Sequence, residues 1–251
     1  MPKPEMQRVG DSYAICGDAF DWQTIGKVQA LINPSRDLAQ GAPLLICDPP
    51  YGGIVKEAWD VAQYRKWMGV CLMHAAPDST IAMWGGIGKP LNRPFLGFAM
   101  SVEGEFPAWE IADWITWKKR RGYGKPRNYL FTREECLILR KGRPTFNVPL
   151  LTELRGYPGY NKAYPAKSEY LRRSNVWTDV NELFRGKLHP TQKPDALYRV
   201  LVETHSKPGD WVVDLCAGSG VTLRVCEATG RRACIVERDR GYLVRAGIFK
   251  A

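Results

Sequence analysis

Five short stretches of the chain are apolar with little interruption, and each stops at an acid, a glycine or a proline. They are SYAICGDA (12–19), PLLICDPPY (43–51), STIAMWGG (79–86), WVVDLCAGSG (211–220) and ACIVERD (233–239). Alternation would mark strands with one wet face, whereas continuous apolar character marks strands covered on both faces. The intervals are long enough for crossover helices, so the pattern predicts an α/β fold built on a doubly wound, mostly parallel sheet. Two more runs, WEIADWITWK (109–118) and EECLILRK (134–141), predict an antiparallel pair at one edge. Helices are predicted over 221–228 and 240–249. In such sheets ligands sit at the carboxyl ends of strands, near a reversal in strand order. That is where Asp18, Asp48, the 214–220 turn and Glu237 with Asp239 fall. A cap or a turn explains any one of them; four together point to a site.

A length of 251 residues suits one domain over 1–251. No apolar run is long enough to cross a bilayer, and the N-terminus lacks a signal-peptide pattern, so no membrane partner and a cytoplasmic location are expected. Seven cysteines without a CxxC pair and three histidines at no ligand spacing predict reduced thiols and no metal. Charge changes the picture more. Residues 115–176 hold fifteen Lys and Arg against four acids, which accounts for the whole net charge of +10. Tyr123, Tyr129, Tyr157, Tyr160, Tyr164 and Tyr170 interleave with these cations, as a surface for phosphates and bases requires. Residues 118–175 are therefore read as an inserted basic region that would meet a polyanion such as DNA, with Lys118, Lys119, Arg120, Arg121, Lys125 and Arg127 as its contacts.

Two motifs carry chemistry. Asp214-Leu-Cys216-Ala217-Gly218-Ser219-Gly220 joins a strand to a helix; its glycines admit a ligand to the backbone, and the helix start offers free N–H groups. Glu237 ends the next strand, where a carboxylate can accept from ribose hydroxyls. The GxGxxG that seats a pyrophosphate is absent, which favours a nucleoside ligand without a diphosphate, such as S-adenosylmethionine. Asp48-Pro49-Pro50-Tyr51 is the sharper signal. Two prolines stiffen the loop and leave the Asp48 carboxylate and Pro49 carbonyl as acceptors beside an aromatic ring. Two acceptors on the hydrogens of an exocyclic base amine would favour the pyramidal geometry that attack on a methylsulfonium needs. Tyr51 would stack on a base extruded from the duplex.

With His189-Pro190-Thr191-Gln192-Lys193-Pro194 between them, these motifs make the chain similar to the circularly permuted β group of DNA amino-methyltransferases, over nearly its whole length. The resemblance implies a Rossmann-like methyltransferase sheet of seven strands, one antiparallel. Methyl transfer from S-adenosylmethionine to a base amino group of double-stranded DNA is implied with it, and so is frequent dimer formation. It also implies cofactor contacts at Asp18, Ala19, His189, Thr191, Gln192, Lys193, Asp214, Cys216, Ala217, Gly218, Ser219, Gly220, Glu237 and Arg238, with Lys193 and Thr191 toward the methionine carboxylate. Arg133-Glu134-Glu135 stands where the group commonly has His-Glu and has no assigned role. Asp at 48 leans toward adenine N6, with cytosine N4 the alternative. A catalytically silent nucleic-acid-binding module is the reading from another class. The permutation predicts that the 12–19 strand completes the sheet beside the strand ending at Glu237, so that both ends of the chain meet.

Overall fold

Those apolar runs become the strands of one sheet in the computed structural model, which describes residues 3–37, 39–53, 60–87, 92–123, 127, 129–148, 150–151, 171–180 and 188–250. The first half of the chain supplies β1 (Glu5–Val9), β2 (Ser12–Cys16), α1 (Trp22–Ile32), β3 (Ala42–Cys47), α2 (Tyr64–His74), β4 (Ala75–Gly85) and α3 (Asn92–Glu105). Next come β5 (Glu110–Tyr123), β6 (Phe131–Lys141) and three two-residue strands, β7 (Leu150–Leu151), β8 (Leu171–Arg172) and β9 (Val176–Trp177). The chain closes with α4 (Asp195–His205), β10 (Trp211–Asp214), α5 (Val221–Thr229), β11 (Arg232–Glu237) and α6 (Arg240–Arg245).

The strand order is β1-β2-β11-β10-β3-β4-β6-β5-β9, with β7 and β8 forming a separate ribbon. From β2 to β4 every neighbouring pair is parallel, and β6 runs against both β4 and β5. The seven strands from β2 to β5, one of them antiparallel, match the α/β expectation. Among the described residues β1 and β9 extend this set to nine, so the β5–β6 pair lies one strand in from the edge. The predicted meeting of the two ends is present: β2 pairs with β11, Cys16 opposite Glu237, and the Gly17 amide donates to the Glu237 carbonyl at 2.9 Å.

Burial explains the pattern of β3, where Ala42, Leu44, Leu45, Ile46 and Cys47 are all fully buried. Both α2 and α4 pack on this strand. The helix α1 begins at Asp21, whose carboxylate caps Gln23 and Thr24, and buries Thr24, Ile25, Val28 and Ile32 along one stripe. The last helix is shorter than its 240–249 expectation. Gly247 takes a left-handed φ of +71° and the Ile248 amide turns back to the Leu243 carbonyl at 2.9 Å, which ends α6 at Arg245. All seven cysteines are free, five of them buried. No helix among the described residues is long and apolar enough to cross a membrane.

From β10 the chain passes through α5 to β11 on one side; from β3 it passes through α2 to β4 on the other. The reversal therefore falls between β10 and β3, paired with Val213 opposite Leu45 and Asp214 opposite Ile46. At the carboxyl ends of these two strands lie the two motifs.

Candidate active site

Just past the end of β3, Asp48 leaves the sheet and meets a cluster of side chains from three other elements. The Tyr51 hydroxyl donates to Asp48 Oδ1 at 2.7 Å, and the Lys193 ammonium donates to Asp48 Oδ2. The same ammonium reaches the Tyr51 hydroxyl at 3.1 Å and Glu134 Oε2 at 3.2 Å. From β5, Lys119 closes the other oxygen of Glu134 at 2.7 Å. Lys193 thus spans from β3 to β6, its nitrogen 4.8 Å from the centre of the Trp84 ring on the intervening β4. Asp60 holds the backbone after the motif, accepting from the amides of Gly52 at 2.8 Å and Gly53 at 2.9 Å. These two glycines sit at φ of +81° and +91°, a turn that a side chain would strain.

Electrostatics follow from two anions and two cations packed together, with Lys193 buried and the other three partly buried. Burial pushes the Asp48 carboxyl above its ordinary value; Lys193 opposes this and Glu134 adds to it. Burial pushes Glu134 the same way, but Lys193 and Lys119 together outweigh it and hold this acid down at about 2. Burial disfavours the Lys193 charge, yet Asp48 and then Glu134 overcome that and raise it. Burial also raises the Tyr51 phenol, with Asp48 and Glu134 adding to it, so it stays protonated as a donor.

Across the switch point, Cys216 Sγ lies 4.0 Å from Cys47 Sγ, joining the glycine turn to the base of the Asp48 loop. Asp214 is buried and holds this turn, accepting from the Cys216 amide at 3.0 Å and from the Thr222 hydroxyl. Burial lifts its carboxyl to about 7. Glu237 accepts from the Gly218 amide at 2.8 Å through one oxygen and from the Asp239 amide at 2.8 Å through the other, which leaves each oxygen further acceptor capacity. Asp18 and Ala19 follow β2 on the same rim, Asp18 accepting from the Phe20 amide at 2.9 Å and Ala19 buried. Arg238 is exposed there.

The glycines of the turn do more for the fold than the sequence suggests. Gly218 and Gly220 take φ of +52° and +72°; a methyl group on Gly220 would meet Ile248 Cδ1 at 2.6 Å, and one on Gly218 would touch the His189 ring at 3.4 Å. Ser219 is buried with a hydroxyl that has no partner in the structure. An unpartnered buried hydroxyl costs roughly 1–3 kcal/mol, and this one belongs to the glycine turn itself. Together these groups fit a nucleoside-type ligand rich in hydroxyl and amine donors.

The His189–Pro194 segment divides between the two motifs. The His189 ring lies 4.2 Å from that of Tyr242 and receives Thr191, whose hydroxyl is 3.1 Å from its Nδ1; Gln192 accepts the Leu188 amide at 3.1 Å. Lys193 points the other way, to Asp48 and Glu134. Glu134 is the residue for which sequence reasoning supplies no role. Its signals were two acids, Glu134 and Glu135, isolated in a basic stretch, and their place where the resembled group commonly has His-Glu. Consecutive strand residues face opposite sides, and Glu135 accordingly accepts from Trp114 Nε1 at 2.9 Å and Thr116 Oγ1 at 2.7 Å, away from the Lys193 cluster.

The DNA-contact residues scatter more. Lys118 lies on β5 opposite Arg133, and Lys119 is taken up by Glu134. Arg127 is exposed next to Tyr129, 96% exposed, before β6 begins. Lys125 and residues 152–170 lie outside the described residues, as do the side chains of Arg120 and Arg121. No group of three or more His, Cys, Asp or Glu among the described residues could hold a metal ion.

Comparison with known proteins gives four matches. Residues 43–246 match the model of a family described as DNA methylase, of N6/N4 methyltransferase type. The type II methyltransferase M.HpaI of Haemophilus parainfluenzae is 27% identical over 251 aligned residues, covering 94% of this chain and 73% of that protein. Among solved structures, M1.HpyAVI in complex with SAM superposes with a TM-score of 0.62 at 22% identity, over 93% of this chain and 97% of that one. The cytosine-N4-specific PvuII DNA methyltransferase gives 0.69 at 15% identity, over 96% and 86%. At such identities the two structures speak for the shared fold.

Proposed function

Since the chain belongs to the N6/N4 DNA methylase family, we propose that it transfers a methyl group from S-adenosylmethionine to the exocyclic amino group of an extruded base in double-stranded DNA, adenine N6 in the first place. The observation that carries this reading is the meeting of the Asp48 loop and the glycine turn at the switch point, tied by the Cys47–Cys216 contact. Support for the cofactor comes from Glu237, Ser219 and the turn at Gly218, and from the SAM complex of M1.HpyAVI.

When bound, S-adenosylmethionine supplies an electrophilic methyl on a sulfonium. The work of the protein is to make a poor nucleophile attack it. The amino lone pair of adenine is delocalised into the ring; acceptance of its two hydrogens by the Asp48 carboxylate and the Pro49 carbonyl localises the pair on nitrogen. In the in-line transfer that pair forms the new N–C bond while the C–S pair returns to sulfur. The surplus proton on nitrogen then passes to Asp48, whose burial favours the protonated form, and from there to water. Pro50 stiffens the loop, and Tyr51, oriented through its hydroxyl, presents its ring to the base.

Asp18, Ala19, His189, Thr191, Gln192, Asp214, Cys216–Gly220, Glu237 and Arg238 form the cofactor rim. The chain acts as one catalytic domain over residues 1–251, with 118–175 as its target-recognition region. Aspartate at position 48 favours adenine over cytosine. Tritium transfer to DNA followed by modified-base sequencing is the test: methyl at adenine N6 is the expected result, and methyl at cytosine N4 would correct the base alone. Asp48→Ala should abolish transfer while calorimetry still registers the cofactor; transfer at the wild-type rate would remove the catalytic assignment.

A further inference from the structure

Lys193 lies in a segment whose resemblance to other methyltransferases directs it to the methionine end of the cofactor, yet its surroundings leave it nothing to offer there. An ammonium has three N–H donors and no acceptor. Three acceptors surround this one: Asp48 Oδ2, Tyr51 Oη at 3.1 Å and Glu134 Oε2 at 3.2 Å. Its side chain is 4% exposed, and the Trp84 ring lies alongside the nitrogen at 4.8 Å. A further carboxylate brought against it would meet two carboxylates already in place, and like charges that close disfavour one another. The half of the segment that does face the glycine turn is His189 with Thr191.

We propose that Lys193, steadied from β6 by Glu134, is a positioning residue for the base-activating half of the site: it sets Asp48 and Tyr51 and takes no part in holding the cofactor. This rests on the methyltransferase reading above. A lysine bound to Asp48 alone would be free to swing with the loop. A second carboxylate on a neighbouring strand fixes the ammonium from the far side, and Lys119 in turn fixes that carboxylate. The Asp48 oxygens are then held by one donor each, Tyr51 on Oδ1 and Lys193 on Oδ2, which leaves lone pairs aimed outward for an amino group. Glu134 acts through Lys193 and Tyr51 and touches no reacting atom.

The two assignments of Lys193 separate in a split between binding and turnover. Wild type, Lys193→Met, Lys193→Ala and Glu134→Gln are compared by calorimetry for S-adenosylmethionine and by single-turnover methyl transfer to DNA, with melting curves to confirm folding. Expected is an unchanged cofactor Kd in all variants, with transfer slowed roughly 100-fold in Lys193→Met, as for loss of one preorganised donor, and less in Glu134→Gln. Methylammonium added to Lys193→Ala should restore part of the rate without altering Kd. A Kd weakened roughly tenfold or more in the Lys193 variants, with single-turnover transfer at saturating cofactor intact, would return Lys193 to the cofactor and overturn the proposal. If Lys193→Met does not fold, Glu134→Gln decides alone: wild-type transfer in that variant is equally fatal. Wild-type protein that binds cofactor but methylates no DNA would instead sink the methyltransferase reading.

Discussion

His74 closes α2 with both ring nitrogens buried and unpartnered, and burial holds it down at about 4. In the unfolded chain it protonates near the ordinary 6.5. Between these values the unfolded state carries the extra proton, so the contribution of His74 is intact above pH 6.5 and is lost as pH falls toward 4, by about 1.4 kcal/mol per pH unit. His74→Leu should therefore unfold at nearly the wild-type urea concentration at pH 7.5 and gain about 2 kcal/mol over wild type at pH 5; a gap that ignores pH would refute this account. How legible a residue is depends on where its partners lie. Asp48 and Tyr51 could be read directly, because their motif is contiguous. Lys193 could be found but not understood, since its partner Glu134 comes from another strand and only the folded sheet sets β6 beside β4.

At the level of elements, the strands were the most legible part, since continuous burial leaves a continuous apolar run. Helix ends were less so: the apolar residues of 240–249 continue past Gly247, and Ile248 belongs to the packing on Gly220 instead of to α6. Gly220→Ala should cost about 1–2 kcal/mol for a left-handed backbone at the start of α5, read as a lower melting temperature. Charge was legible as a tract but not by residue. Because Lys119 neutralises Glu134, the basic arm formed by β5, β6 and their turn has fewer cations to spend on phosphate than its composition suggests. Replacing Lys118 and Arg127 by Ala should lower the slope of log K against log salt by about 0.9 for each phosphate no longer neutralised, with catalysis on saturating DNA kept. Lys119→Ala should also slow transfer at saturation. An unchanged slope in the double variant would remove the arm from the DNA interface.

Over the whole molecule, the order of the strands in space departs from their order along the chain at one place that matters. β2 and β3 are joined by a single helix, yet β11 and β10, the last strands of the chain, lie between them. Two parallel pairings of each late strand, with β2 and β3 among the partners, fasten the halves together. On the ribosome, then, the residues before β10 emerge with a gap between β2 and β3 and two apolar strand edges uncovered, the kind of surface that aggregates or recruits a chaperone. A fragment ending at residue 205 should accordingly be digested rapidly by protease where the full chain resists. Final collapse has to wait until β10 and β11 have been made.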